Sequence, residues 1–240
     1  MELETTPERV PGVLLLPALG EGRTPAVLLL HGFTSRKERM SEGIGRALLQ
    51  RGIGSLAVDL PLHGAREGRL DQLSVRNPLR LVSTWRLALG EARQAFDYLE
   101  ALPGIDSTRL GLVGYSLGAY LGVTIAASDA RVRAVALAAG GDLPDEMPIG
   151  RLVRTVVDPV RSVRALAHRP LLMINGRFDR TIRPAQAERL FAAAGEPKEL
   201  HWYEGGHWPP AREIEYAARW MEGALGGVAE RGTGDRRRGA

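Results

Sequence analysis

The chain has 240 residues, 44% of them apolar and 25% charged, with no cysteine and a formal net charge of +4. That supplies one sizeable core, so a single compact domain is expected, while disorder, disulfides, thiolate catalysis, iron–sulfur clusters and cysteine-ligated zinc are excluded. Half of the net charge sits in Glu230–Ala240, where four arginines face two acids, which leaves a nearly balanced body with no basic stripe for nucleic acid.

Arginine outnumbers lysine thirty to two. The start, Met1-Glu2-Leu3-Glu4, is acidic and no apolar run follows it, and aliphatic stretches such as Ala26–Leu30 are far too short to cross a bilayer. The expected compartment is the cytoplasm, with no membrane partner.

Val13–Leu16 reads as an antiparallel edge strand. Short aliphatic runs, of the kind buried on both faces of a parallel sheet, follow at Ala26–Leu30, Ser55–Val58, Leu110–Val113, Val132–Ala138 and Pro170–Ile174, with a last strand at Glu199–Tyr203. Between them, Arg39–Arg51, Leu79–Leu102, Leu117–Ser128, Pro184–Ala194 and Ala211–Leu225 carry apolar residues at helical spacing, Pro184 being suited to a first turn. This alternation predicts an α/β fold over residues 1–225: a mostly parallel, doubly wound sheet flanked by helices.

One segment, 142–169, is longer than an ordinary connection. Ile149, Leu152, Val153, Val156 and Val157, then Val160, Val163 and Leu166, suggest two short amphipathic helices broken at Pro159, with Arg151, Arg154, Arg161 and Arg164 on a solvated face. An apolar stripe needs a partner surface, and a short helical lid over a substrate pocket is the expectation. Residues 226–240, rich in Gly and Arg, read as a disordered basic tail.

The most specific signal is Gly114-Tyr115-Ser116-Leu117-Gly118, between a strand and a helix. Small residues around the serine permit a sharp strand-to-helix turn that holds Ser116 out at the end of the sheet. A serine hydroxyl needs a base, and the base needs an orienting group. Of five histidines, His201 lies in a strand and His168 in the lid segment, whereas His207 sits in the loop Glu204-Gly205-Gly206-His207-Trp208 after the last strand. Asp179, in the loop after Pro170–Ile174, is the expected acid; Asp142, after the preceding strand, is its rival. The order Ser116, Asp179, His207 is that of nucleophile-elbow hydrolases.

An oxyanion formed at Ser116 requires donors. The N–H of Leu117, at a helix start, is one, and the N–H of Phe33, in His31-Gly32-Phe33-Thr34 after Ala26–Leu30, is the other. His31, Asp59 and His63 are expected to brace loops, since nothing nearby completes a metal-ligand set. These motifs, from Val13 to Leu225, resemble the α/β-hydrolase superfamily, in particular its small members similar to the dienelactone-hydrolase and prolyl-oligopeptidase-like groups. The resemblance implies a serine esterase acting on short- to medium-chain carboxylic esters through an acyl-enzyme, without metal or cofactor. Dienelactone hydrolases use a cysteine nucleophile, absent here, which disfavours that substrate. Thioester, amide or acyl-peptide hydrolysis by the same three residues is the alternative, and a non-catalytic binding module a more distant one. A small-molecule ester is the expected partner, homo-oligomerisation is left open, and Phe33, Tyr115, Trp208, Val153 and Val156 are the residues expected to face substrate.

Overall fold

A computed structural model describes residues 9–18, 22–66, 68, 70, 76–147 and 149–233. Seven strands form one sheet in the order β1-β3-β2-β4-β5-β6-β7. They are β1 (Gly12–Leu15), β2 (Thr24–Leu30), β3 (Gly54–Val58), β4 (Ile105–Tyr115), β5 (Val132–Ala138), β6 (Leu171–Gly176) and β7 (Lys198–Tyr203). Only β1 is antiparallel, pairing with β3 from Gly12 opposite Val58 to Leu15 opposite Ser55; the remaining neighbours run parallel.

Side chains alternate across the sheet, so each strand feeds two cores. Leu28, Leu30, Leu112, Leu137 and Met173 join the core beneath α3 (Pro78–Ala101), α4 (Leu117–Ser128) and α7 (Pro184–Ala193). Val27, Leu29, Val113, Leu172 and Ile174 join the opposite core. That second core is covered by α8 (Ala211–Thr233) and by a helical stretch made of α1 (Lys37–Met40), a π-helical turn (Ser41–Gly45) and α2 (Arg46–Leu49). Continuous aliphatic runs such as Val27–Leu30, entirely inaccessible to solvent, follow from covering both faces.

Element types match the sequence reading, and the boundaries differ for physical reasons. β4 begins at Ile105, because Thr24 pairs with Ile105 across an irregularity in register; the polar run Asp106–Arg109 hides this half of the strand. The helix expected over 39–51 is interrupted by the π-helical turn, which contains Gly43 and Gly45, poor formers of a regular helix. In α3 the Asn77 side chain accepts the Arg80 N–H at 3.2 Å and Pro78 occupies the first turn. α8 continues past Leu225 to Thr233, where a tail was expected; the glycines there cost roughly 1 kcal/mol each and do not stop it. The final seven residues of the expected tail lie outside the described residues. Lys198 closes α7, its Nζ donating to the carbonyls of Phe191 at 3.0 Å and Ala194 at 2.8 Å.

The segment 142–169 forms the two short helices expected, α5 (Gly150–Val153) and α6 (Pro159–Arg164), the second capped by Asp158. Its apolar stripe is divided: Ile149 and Leu152 line a shallow surface cavity, and the rest turns inward. Val153, Val157, Val163 and Leu166 are buried in the core shared with α3 and α4, and Val156 packs against that core. Val153 is thus a core residue and not a substrate-facing one, which corrects its expected role, while Val156 is half-buried beside it. Arg154 also departs from a solvated role: it donates to Asp142 at 2.9 Å and Asp158 at 3.1 Å, whereas Arg151, Arg161 and Arg164 are exposed. No helix among the described residues is long and apolar enough to cross a membrane.

Candidate active site

The chain leaves β2 toward β3 on one side and later returns to place β4 on the other, so the loops at the carboxyl ends of β2 and β4 diverge and leave a crevice. Ser116 stands at its edge. The Ser116 backbone is held at φ 52° and ψ −110°, a conformation costing about 1–3 kcal/mol for a residue with a side chain. Two close approaches enforce it. A Cβ on Gly114 would lie 2.3 Å from the Gly118 carbonyl oxygen, and one on Gly118 would lie 2.1 Å from that of Leu30. The turn is further fixed by the Ser116 N–H donating to Ala138 O at 2.9 Å.

Ser116 Oγ lies 2.9 Å from His207 Nε2, and His207 Nδ1 lies 2.8 Å from Asp179 Oδ2. The other Asp179 oxygen accepts the N–H groups of Thr181 at 2.8 Å and Ile182 at 3.0 Å. The buried carboxylate thus has oriented donors on both of its oxygens. Its acceptance from Nδ1 fixes the imidazole tautomer and leaves the Nε2 lone pair for the Ser116 hydroxyl.

The loop bearing His207 is tied down from several directions: Phe178 N–H donates to Gly205 O at 2.9 Å, Tyr203 Oη to Gly206 O at 2.6 Å, and Tyr115 Oη to His207 O at 3.2 Å. A Cβ on Gly176 would sit 2.2 Å from Gly206 O, so the end of β6 needs glycine for the loop to come down on it. Asp142 is elsewhere engaged. It accepts from Leu143 N–H at 2.8 Å and Arg154 at 2.9 Å and faces Arg189 at 3.5 Å. Sequence reasoning had nominated Ser116, Asp179 and His207, and the structure brings the three together.

The side of Ser116 on which oxyanion donors were expected is bounded by the loops after β2 and β3. Gly32 passes so close to the nucleophile that a Cβ there would be 3.3 Å from Ser116 Cβ, which puts the Phe33 turn beside it. His31 is fully buried. Its Nε2 accepts Leu60 N–H at 3.0 Å, so Nδ1–H donates to Gly32 O at 2.8 Å, and burial pulls its pKa down to about 4. Burial also lowers the pKa of His63, whose Nδ1–H donates to Pro61 O at 2.8 Å. Asp59 accepts the Lys37 N–H and Nζ, each at 2.8 Å, and Ala65 N–H at 2.9 Å. Burial alone would raise its pKa; these donors hold it below the usual carboxylate range. The brace expected from His31, Asp59 and His63 is present, and Lys37 is the member that sequence reasoning missed. Its signal was rarity, as one of two lysines among thirty arginines.

Of the remaining substrate-facing candidates, Phe33 and Trp208 are exposed and Tyr115 is buried. The Tyr115 ring lies 5.3 Å from His207 and 5.1 Å from Trp208.

This fold and site define a protein of the hydrolase type. Residues 27–222 match the alpha/beta hydrolase family, and the chain belongs to it. Among solved structures it is similar to TT1662 from Thermus thermophilus, with a TM-score of 0.75 and 24% identity over 92% of this chain and 99% of that one. It is also similar to a cold-adapted esterase from an Arctic intertidal metagenomic library, with a TM-score of 0.70 and 26% identity over 90% and 88% of the two chains. The uncharacterized protein Rv2307c of Mycobacterium tuberculosis is 28% identical over 201 residues, a match covering 81% of this chain and 66% of that protein's length.

Proposed function

We propose that this hydrolase is a serine carboxylesterase that cleaves small carboxylic esters through a covalent acyl-enzyme. The observation that carries the reading is the continuous chain from Ser116 Oγ through His207 to Asp179, with links of 2.9 and 2.8 Å. Ser116 Oγ attacks the ester carbonyl carbon as its proton passes to His207 Nε2. The carbonyl π electrons move to oxygen, where the N–H groups of Phe33 and Leu117 receive the charge. Asp179 stabilises the imidazolium. Collapse of the tetrahedral species breaks the bond to the alcohol oxygen, which takes the proton from Nε2. Water, deprotonated by the same nitrogen, then releases the carboxylic acid and restores Ser116.

The esterase among the similar structures supports the choice of ester over other acyl bonds. Labelling by a fluorophosphonate, blocked in Ser116→Ala, together with faster turnover of p-nitrophenyl esters than of a matched thioester or anilide, is the expected result. Absence of labelling in the folded wild-type protein would favour a non-catalytic binding module, and a faster thioester or anilide would reassign the bond.

A further inference from the structure

Beside the loop that carries His207, on the α8 side of the sheet, lies a largely apolar cleft of about 350 Å³. Its walls include Met40, Gly43 and Ile44 from the α1 and π-helical stretch, Tyr115 at the end of β4, Trp208, and Ala217 of α8. The volume is within the range of small-molecule sites. None of the 142–169 segment contributes to it. Tyr115 and Trp208 are also neighbours of the imidazole, their rings 5.3 and 6.1 Å from that of His207.

Three charged residues, Arg39, Glu42 and Glu213, line an otherwise largely apolar cleft; Arg39 lies over the Trp208 ring at 5.6 Å, and Glu213 already binds His201 at 2.7 Å and Arg212 at 2.8 Å. A neutral, apolar group suits such a lining better than an ion does.

Resting on the ester-hydrolase reading, we propose that this cleft receives the alcohol portion of the ester, so that the enzyme favours esters of extended apolar alcohols. The direction follows from the chemistry. The proton that frees the alcohol comes from His207 Nε2, so the leaving oxygen must lie within hydrogen-bond reach of that nitrogen, the side on which Tyr115 and Trp208 stand. The carbonyl oxygen turns the other way, toward Phe33 and Leu117. Neither Ser116 nor His207 is part of the wall, so the alcohols that would use the cleft are those extended enough to pass the Tyr115–Trp208 pair.

Gly43 is the position at which to fill it, since a Cβ there meets nothing nearer than Ile214 Cδ1 at 3.7 Å. In Gly43→Leu the ratio of kcat/KM for octyl acetate over methyl acetate should fall about tenfold or more, while the ratio for methyl octanoate over methyl acetate stays as in the wild type. Gly43→Ala should shift the first ratio the same way by less, and it keeps the test readable if the leucine variant does not fold. An unchanged octyl acetate ratio, or a fall confined to methyl octanoate, overturns the assignment. If wild-type protein hydrolyses none of these esters and Ser116 takes no fluorophosphonate, the ester reading itself fails, a result distinct from failure of the cleft alone.

Discussion

Asp142 and Asp179 stand in the loops that leave neighbouring strands, β5 and β6, and both are buried, at 5% and 3% exposure. Their partners differ in kind. Asp142 answers to the guanidinium groups of Arg154 and Arg189, formal positive charges that carry no transferable proton at ordinary pH. Asp179 is held by two backbone N–H groups and by His207, two dipoles and a ring able to take up and release a proton. Burial makes a carboxylate consequential; the partner decides whether its field serves the fold or a proton in motion.

The comparison breaks or sharpens in four measurements. Ser116→Ala sets the baseline and should lower kcat by roughly 10⁴ to 10⁶ with the fold intact; esterase activity close to wild type would remove Ser116 from the reaction and leave His207 without a nucleophile to activate. Against that baseline, Asp179→Asn should lose on the order of 10² to 10⁴ in kcat, because an amide neither fixes the tautomer of His207 nor stabilises its cation. A mild Asp179→Asn beside a severe Asp142→Asn would invert the assignment.

A third buried group, His31, is kept neutral by burial, although the Asp59 carboxylate stands 4.0 Å from its Nε2. Its folded pKa of about 4 lies below its ordinary 6.5, so the unfolded chain binds the proton first and stability falls as pH drops from 6.5 toward 4. The full contribution is roughly 3 kcal/mol. Urea denaturation across that window should be flatter in His31→Gln; an equal slope in both proteins would assign acid sensitivity to other groups.

The smallest effect belongs to Asp142→Asn, about 1–2 kcal/mol of stability with kcat little changed. The Arg154 and Arg189 side chains are about a third exposed or more, and solvent screens what the ion pairs contribute. Denaturation midpoints together with ester turnover would check it.

Legibility followed how local the cause was. The elbow could be read because two glycines bracket a serine between an aliphatic run and a helix, and the contacts that demand those glycines arise within that unit and the adjoining β2. That the sheet is mostly parallel could be read from alternation alone. Choosing Asp179 over Asp142 rested on loop position, and the deciding fact, which arginines reach Asp142, is tertiary. The 142–169 segment was misjudged because helical periodicity states that Val153 and Val163 are buried but not by what. The cleft between the π-helical turn and α8 had no signature, since its walls come from residues as distant as Gly43, Tyr115 and Ala217.

Lysine usage carries a practical consequence for studying assembly. Lys37 Nζ is buried against Asp59, and Lys198 Nζ is spent on two carbonyl oxygens at the end of α7. Reagents that acylate primary amines thus find neither lysine side chain unengaged. A blank lane after cross-linking with a lysine-directed reagent would carry no information on whether copies of this chain associate. Mass measurements that leave the surface untouched, such as light scattering or sedimentation, are the ones that can answer.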